Sequence, residues 1–187
     1  MKNIAVLASG EGSNAEAIVR YFAGSGAARV AIVLSNREKA GVHSRMAALG
    51  VRTETVPREL WNDGSAVVDI LMREAVDFVV LAGFLCRVEA PIIEAFSGRI
   101  VNIHPSLLPK FGGAGMWGHH VHEAVIASGE KESGITVHYV TKEIDGGEII
   151  FQAKCPVEPV DTPETLANRV HALEHAHYPT VIENLLK

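Results

Sequence analysis

The sequence contains few cysteines, no excess of positive charge and no long apolar segment. Cys86 and Cys155 are its only cysteines, too few for a disulfide framework, so we expect a reducing compartment and a cytoplasmic protein. The formal net charge of −5 argues against nucleic acid as a partner, because nucleic-acid-binding proteins usually carry a basic surface. The apolar run Ile4–Leu7 is too short for a signal sequence or a membrane span, so no membrane association is expected.

Length and apolar content favour a single folding unit. The chain has 187 residues, 48% of them hydrophobic. This is enough for one sizeable hydrophobic core but too short for two domains of ordinary size. We therefore expect one domain over residues 1–187. Short apolar runs rich in Val and Ile alternate with segments of helical period, which is typical of βαβ units. This pattern predicts an α/β fold with a mostly parallel central sheet and helices on both faces.

The apolar runs and helical periods also place the individual elements. Strands are predicted at Ile4–Ala8, Ala28–Leu34, Val51–Val56, Phe78–Leu81, Ile100–Ile103, Ile135–Val140 and Ile149–Ala153. Helices are predicted at Asn14–Phe22 and Ser65–Arg73, and the cap Thr162-Pro163-Glu164 predicts a long helix toward Leu186. The segment Pro105–Gly118 contains four glycines and two prolines, so we expect it to be irregular and to close over bound ligands.

A glycine-rich turn, Gly10-Glu11-Gly12-Ser13-Asn14, separates the first predicted strand from the first helix. Glycine there either relieves the steric strain of a tight turn or lets the backbone hold an anion at the helix N-terminus. NAD normally requires an acidic residue at the end of the second strand, where this chain has Asn36 and Arg37. A single phosphate is therefore favoured, although Arg37 leaves a dinucleotide with a 2′-phosphate open.

An amide and an imidazole stand at the end of the fifth predicted strand, in Val101-Asn102-Ile103-His104-Pro105. Alternation along a strand puts Asn102 and His104 on one face, about 6.6 Å apart along the backbone. Open α/β sheets bind ligands at the carboxyl ends of their strands. An amide that donates to an oxyanion and an imidazole that carries protons suit acyl transfer. The alternative is that both side chains merely cap the strand end.

A second polar segment, Asp145-Gly146-Gly147, follows the sixth predicted strand. Two glycines after an aspartate favour a tight turn that would fix the carboxylate in place. A carboxylate near a histidine favours the imidazolium form. By itself, this sequence fits a hairpin turn as well as it fits a catalytic site.

Together these segments resemble the folate-dependent formyltransferase superfamily. The resemblance covers nearly the whole chain and rests on N-I-H-P-S-L-L-P at 102–109, Asp145-Gly146-Gly147, Gly12-Ser13-Asn14, Leu81–Phe84 and Glu174-His175-x-x-Tyr178-Pro179. It implies a Rossmann-like sheet. It also implies transfer of a formyl group from 10-formyltetrahydrofolate to the glycine amine of glycinamide ribonucleotide, with no requirement for a metal or NAD.

The resemblance assigns roles to particular residues. The catalytic residues would be Asn102, His104 and Asp145, with Asn102 and protonated His104 stabilising a tetrahedral oxyanion and Asp145 keeping His104 protonated. The substrate-binding residues would be Gly12, Ser13, Asn14, His171 and Glu174. The folate-binding residues would be Leu85, Cys86, Arg87, Val88, Asn102, Thr141, Lys142, Glu143, Ile144 and Asp145. The N-terminal half would form the phosphate and nucleotide side, and the C-terminal half the folate and catalytic side.

The chain differs from the superfamily pattern in two places. Many relatives have arginine directly after the A-G-F-aliphatic stretch, whereas this chain has Cys86 and then Arg87. Relatives usually continue with Lys-Tyr/Phe-Pro-Gly-x-His after the main motif. Here the segment Lys110–His119 is longer, rich in glycine and without that proline.

Two groups of histidines raise the possibility of a metal site: His119, His120 and His122, and His175 with His177. The H-E-x-x-H spacing of many zinc sites is absent. We therefore expect loop and helix-surface histidines and no metal.

Several other functions stay open at the level of sequence. Related formyltransferases acting on methionyl-tRNA or an amino-sugar nucleotide carry a C-terminal extension and lack the Gly-Ser-Asn turn. Formyltetrahydrofolate deformylase usually has an additional N-terminal regulatory domain, and a non-catalytic folate or nucleotide binder would not need all three catalytic residues. We expect small-molecule partners only, and a monomer or a homodimer.

Overall fold

A central sheet of seven strands organises the computed structural model, which describes residues 1–187. The strands are β1 (Lys2–Leu7), β2 (Ala28–Ser35), β3 (Thr53–Thr55), β4 (Phe78–Leu81), β5 (Ile100–His104), β6 (Glu132–Tyr139) and β7 (Ile149–Pro156). The helices are α1 (Ser13–Ser25), α2 (Gly41–Ala48), α3 (Arg58–Asp63), α4 (Ser65–Arg73), α5 (Ala90–Ala95), α6 (His119–Ala127) and α7 (Pro163–Leu185). No helix is long and apolar enough to cross a membrane.

The strand order is β3-β2-β1-β4-β5-β6-β7. The first five strands in this order are parallel to one another, and β6 and β7 are antiparallel to their neighbours. The order reverses between β1 and β4, so the loops that follow these two strands diverge and leave a crevice at their carboxyl ends. The predicted α/β, Rossmann-like architecture with a mostly parallel sheet is confirmed.

The sheet is covered on both faces, as the sequence predicts. On β1, Ile4 and Val6 join one apolar cluster, which also includes residues of α1, α6 and α7. The alternate residues Ala5 and Leu7 join a second cluster with residues of α3, α4 and α5. All four side chains are completely buried, as expected for a strand in the middle of a parallel sheet.

The long helix α7 packs on one face of the sheet and contacts both β4 and β5. It begins at the predicted cap, where the Thr162 side chain accepts from the Thr165 backbone N–H in a reciprocal capping box. Further along, the buried Tyr178 hydroxyl donates to the Leu81 carbonyl at 2.9 Å and lies 3.3 Å from the Val101 carbonyl. These contacts fix α7 against the carboxyl end of β4 and the first half of β5.

The helical period does not predict four short helices. The helices α2, α3, α5 and α6 have 8, 6, 6 and 9 residues, and few apolar positions can recur over one or two turns. The strand β6 begins three residues before its predicted start, and β7 ends three residues after its predicted end. Their antiparallel pairing continues beyond the apolar runs, from Glu132↔Pro156 to Gly134↔Lys154.

Candidate active site

The predicted amide and imidazole lie on one face of β5, at the carboxyl end of the strand. His104 is 4% exposed and Asn102 is half-buried. In the antiparallel pairing with β6, Asn102 lies opposite His138, and its Nδ2 is 3.2 Å from His138 Nε2. Residues directly opposite in such a pair project to the same face of the sheet. The strand pair therefore brings a second imidazole to the site.

Asp145 reaches both imidazoles from the turn after β6. Its Oδ2 is 3.6 Å from His104 Nδ1, and its Oδ1 is 3.5 Å from His138 Nε2. The structure thus brings Asp145 close to His104, although 3.6 Å is longer than a direct hydrogen bond. Asp145 has a φ of 53°, and a Cβ at Gly147 would collide with the Tyr139 carbonyl. The second glycine thus allows the close turn that aims the carboxylate.

Backbone carbonyls determine which nitrogen of each imidazole carries a proton. His104 Nε2 is 2.7 Å from the Phe111 carbonyl, and His138 Nδ1 is 2.8 Å from the Tyr139 carbonyl. A carbonyl only accepts, so both of these nitrogens must donate. In the neutral rings the remaining nitrogens, His104 Nδ1 and His138 Nε2, present their lone pairs toward Asp145. Protonation of either ring therefore converts an unfavourable approach to the carboxylate into an attractive one.

Burial opposes that protonation at His104. Removal from water lowers the pKa of His104, and this effect outweighs the opposing influence of the Asp145 carboxylate and the Phe111 carbonyl. Burial alone would raise the pKa of Asp145, but the contact with His138, the hydrogen bond from the Gly113 N–H and the charge of His104 together lower it. The carboxylate is therefore ionised at neutral pH, and His104 is the group whose charge depends on what enters the site.

The irregular segment Pro105–Gly118 lies against His104 and Asp145. It contains no helix or strand, as predicted. Its first residues are fixed by buried hydrogen bonds: Thr136 Oγ1 donates to the Ser106 carbonyl and accepts from the Leu108 N–H. Farther along, the Phe111 carbonyl accepts from His104, and the Gly113 N–H donates to Asp145 Oδ2 at 2.9 Å. The backbone of this segment therefore occupies polar atoms of His104 and Asp145, and its movement on ligand binding stays a prediction.

The glycine-rich turn before α1 has the geometry of an anion site. Gly12 has a φ of 77°, and a Cβ there would collide with Val42. The helix begins at Ser13, and the backbone N–H groups of Ser13 and Asn14 have no acceptor within the protein. Unpaired N–H groups at a helix start favour a bound anion. A cavity of about 370 Å³ lies beside the turn, but Glu11 is its only lining residue from Gly10–Asn14.

Three predicted substrate-binding residues lie at the junction of α1 and α7. Asn14 Nδ2 donates to Glu174 Oε2 at 2.7 Å, whereas the buried Asn14 Oδ1 has no hydrogen-bond partner. Burial raises the pKa of Glu174, which is 5% exposed. His171 is exposed and lies one turn before Glu174 on α7, so both face the same side of the helix.

The two predicted folate-binding segments, 85–88 and 141–144, are neighbours in the structure. Arg87 donates to the Lys142 carbonyl at 3.2 Å, which links them. Leu85 and Ile144 are 40% and 51% exposed, so apolar surface is available for an aromatic ligand on this side. Burial raises the pKa of the half-buried Cys86, so its thiol is protonated at neutral pH.

The expectation that the clustered histidines lie on loops or helix surfaces is wrong for one of them. His119 and His120 are exposed and pair with Glu123. His122 is buried on α6, 2% exposed, because the side of a short helix that carries it faces the core. No group of three or more His, Cys, Asp or Glu side chains is arranged to hold a metal.

His138 is the site residue that sequence reasoning missed. It lies on β6, seven residues before Asp145, within Ile135–Val140, whose apolar pattern predicts only a strand. The information that places it in the site is the strand register, in which His138 of β6 lies opposite Asn102 of β5. Composition and motif spacing do not contain that information.

Comparison with known proteins assigns this arrangement to a class. Residues 2–182 match the family described as formyl transferase. The chain therefore belongs to the formyl transferase family, consistent with an amide, an imidazole and a carboxylate that meet at the end of β5.

Within that family, the chain is similar to phosphoribosylglycinamide formyltransferases. The chloroplastic enzyme of Arabidopsis thaliana is 40% identical over 187 residues, which cover 97% of this chain and 64% of that protein. The enzyme of Escherichia coli is 39% identical over 189 residues, which cover 96% of this chain and 85% of that protein. A crystal structure of glycinamide ribonucleotide transformylase 1 from Symbiobacterium toebii has a TM-score of 0.91 at 38% identity, covering 100% of this chain and 88% of that one.

Proposed function

We propose that this protein transfers a formyl group from 10-formyltetrahydrofolate to the amine of glycinamide ribonucleotide, a step of purine biosynthesis. The observation that carries the proposal is the placement of Asp145 within 3.6 Å of both His104 and His138 beside Asn102. This arrangement lies in a chain of the formyl transferase family whose relatives are named for that reaction. We further propose one domain over residues 1–187, a cytoplasmic location, and a monomer or homodimer.

The catalytic step is nucleophilic addition followed by elimination. The substrate amine attacks the formyl carbon, a C–N bond forms, and the formyl oxygen becomes an oxyanion. Asn102 Nδ2 and protonated His104 donate hydrogen bonds to that oxyanion. Preorganised donors lower the barrier most when they face the atom on which charge develops in the transition state. The bond between the carbon and N10 of the folate then breaks, and the proton from the amine moves to N10 with help from His104 and Asp145.

This mechanism requires a change at Phe111. In the structure, His104 Nε2 donates to the Phe111 carbonyl, and Asp145 accepts from the Gly113 N–H. A donor that is already satisfied cannot also stabilise an oxyanion at full strength. We therefore propose that substrate binding displaces the backbone around Phe111 and frees the imidazole, which links the Pro105–Gly118 segment to catalysis.

The two substrates would bind on opposite sides of the catalytic residues. The phosphate of glycinamide ribonucleotide would be held by the turn Gly12-Ser13-Asn14, with His171 and Glu174 of α7 on the nucleotide side. The folate would lie against Leu85–Val88 and Thr141–Asp145, with Asn102 at the transferred carbon. The folate is a cosubstrate, and the chemistry proposed for these residues requires neither a metal nor NAD.

A product assay tests the proposal directly. The purified protein is incubated with 10-formyltetrahydrofolate and glycinamide ribonucleotide, and formylated ribonucleotide and free formate are measured separately. We expect formylated product at the rate of folate consumption. Formate release without formylated product would indicate a hydrolase instead, and folate binding without turnover would indicate a non-catalytic binder.

A further inference from the structure

A single buried hydroxyl lies where the ends of three parallel strands meet. Ser9 follows the end of β1 and is 1% exposed. Its Oγ donates to Asn36 Oδ1, which follows β2, at 2.6 Å, and accepts from the Leu85 N–H, which follows β4, at 2.9 Å. The strand order places β2 and β4 on either side of β1. The side chain of Ser9 therefore joins the loops that leave the sheet on both sides of this strand.

The backbone and the side chain of Ser9 together hold the turn that follows β4. The Ser9 N–H donates to the Gly83 carbonyl at 3.0 Å, and the Leu85 N–H returns to Ser9 Oγ. Gly83 has a φ of 69°, the left-handed conformation that glycine adopts without strain. Between the two bonds, the Phe84 ring packs on the buried Trp61 ring at a centroid distance of 4.6 Å. The position of Leu85, and of the segment that begins there, therefore depends on Ser9.

Asn36 determines the direction of the Ser9 hydroxyl. A serine hydroxyl has one hydrogen to donate and two lone pairs that accept. Because the hydrogen goes to Asn36 Oδ1, a lone pair of Ser9 Oγ is left for the Leu85 N–H. Without the hydroxyl, both the Asn36 oxygen and the Leu85 N–H lose their partner. Unpaired polar groups away from water are costly, so the turn after β4 would shift until both groups are paired again.

We propose that Ser9 is a positioning residue that holds the folate-binding segment Leu85–Val88 in place through the Leu85 N–H. The inference rests on the proposed function, which places the folate against this segment. Ser9 is too deeply buried to touch a ligand, so it acts only through the backbone that it holds. Arg87 of the same segment donates to the Lys142 carbonyl, so a shift at Leu85 is transmitted to the second folate-binding segment.

The glycine-rich turn before α1 has contacts of its own that do not involve the Ser9 hydroxyl. The Val42 N–H donates to the Gly10 carbonyl at 3.1 Å, and the Arg45 guanidinium donates to the Glu11 carbonyl at 2.8 Å. Both contacts hold the turn against α2. Loss of the Ser9 hydroxyl should therefore weaken folate binding and leave phosphate binding unchanged.

Separate measurements of folate and phosphate binding test the proposal without any need for turnover. Dissociation constants of tetrahydrofolate and of inorganic phosphate are measured for wild type, Ser9→Ala and the matched control Ser128→Ala. Ser128 is an exposed serine at the end of α6 whose hydroxyl donates to the Val125 carbonyl of that helix. We expect Ser9→Ala to bind tetrahydrofolate about tenfold more weakly, the effect of leaving buried partners unpaired, and to bind phosphate as wild type does. Ser128→Ala should bind both as wild type does, and unchanged tetrahydrofolate binding in Ser9→Ala would overturn the proposal.

Two further variants distinguish positioning from a general structural role. Ser9→Thr keeps the hydroxyl and should bind tetrahydrofolate more tightly than Ser9→Ala. Asn36→Ala should weaken tetrahydrofolate binding in the wild-type background and have little further effect in the Ser9→Ala background, because both changes break one chain of hydrogen bonds. Fully additive losses, or equal weakening of tetrahydrofolate and phosphate binding, would overturn the inference. If Ser9→Ala does not fold, Asn36→Ala alone decides, and unchanged tetrahydrofolate binding in that variant overturns the inference.

Turnover measurements keep this inference separate from the proposed function. In Ser9→Ala, the KM for 10-formyltetrahydrofolate should rise about tenfold with little change in kcat. If wild type binds tetrahydrofolate in a way that depends on Ser9 but forms no formylated ribonucleotide, the proposed function fails and the role of Ser9 stands. If wild type forms formylated ribonucleotide and Ser9→Ala has an unchanged KM for the folate, the proposed function stands and the inference fails.

Discussion

At the scale of single residues, the proposed mechanism depends most directly on Asp145. Replacing it with Asn keeps an acceptor for the Gly113 N–H but removes the negative charge that opposes the effect of burial on His104. The pKa of His104 should then fall further, and less imidazolium is available. We expect Asp145→Asn to fold normally and to lower kcat roughly a hundredfold, the usual contribution of one acid–base group. Asp69→Asn, an exposed site on α4, is the matched control, and a near-wild-type rate for Asp145→Asn would show that the catalytic residues are wrongly assigned.

His138 should act through the orientation of Asn102 and Asp145. Its Nε2 accepts from Asn102 and approaches Asp145 Oδ1. We expect His138→Leu to lower kcat about tenfold or more with little change in the KM of either substrate, and His138→Gln to recover part of the loss. Steady-state kinetics of the double variant with Asp145→Asn supply the check, because residues that act as one unit are not additive. Fully additive losses would contradict a shared role.

The residues that sequence reasoning found and missed differ in a physical way. His104 directly precedes Pro105, Asn102 lies two residues before His104 on the same predicted strand, and Asp145 directly precedes two glycines. Their positions can therefore be recognised from the local sequence. His138 lies inside a strand and His122 inside a helix. The surroundings of both side chains are determined by the neighbouring elements that pack against them. Their positions depend on strand pairing and on the contact of α6 with α7, which local sequence does not specify.

At the scale of elements, the turn between β1 and α1 combines tight packing with an open helix start. A Cβ at Gly12 would collide with Val42, and the φ of 77° disfavours any side chain. We expect Gly12→Ala to destabilise the fold by about 1–3 kcal/mol, as overpacking and left-handed strain do, and to weaken phosphate binding by tilting the start of α1. Gly10→Ala is the matched control, because a Cβ there meets nothing within 4 Å. Urea unfolding and phosphate titration measure both effects; equal stability of the two variants would contradict this account of the turn.

Helices and strands can be predicted where the hydrophobic pattern of their own residues determines their structure. The predicted bounds of α4 and β4 match the structure, because α4 has a clear apolar period and β4 is a continuous apolar run buried on both faces. The short helices α2, α3 and α5 were missed because their formation depends on packing against the sheet. Propensity over six to eight residues is too weak to support a helix alone.

At the scale of the whole molecule, buried histidines should make the fold unstable in mild acid. The pKa values of His104 and His122 are both lowered by burial. Between its folded pKa and the ordinary value of about 6.5, such a group binds fewer protons in the folded chain than in the unfolded one. Its contribution to stability is therefore complete above about pH 7 and is lost as the pH falls. Glu174 acts in the opposite direction, because its raised pKa makes the folded state gain stability as the pH falls toward its ordinary value.

His122 should dominate this pH dependence, because its window extends from about 6.5 down to its folded pKa of about 4. Between pH 7.5 and pH 5.0 its protonation alone should lower the free energy of unfolding by about 2 kcal/mol. Urea denaturation at the two pH values, for wild type and His122→Leu, measures the effect. The variant cannot titrate at this position, so we expect its free energy of unfolding to change by about 2 kcal/mol less than that of wild type over the same interval. His120→Leu, at an exposed neighbour on the same helix, should keep the wild-type dependence. An equal pH dependence in His122→Leu and wild type would mean that His122 is hydrated or paired in the folded protein, and that the acid sensitivity of the molecule arises elsewhere.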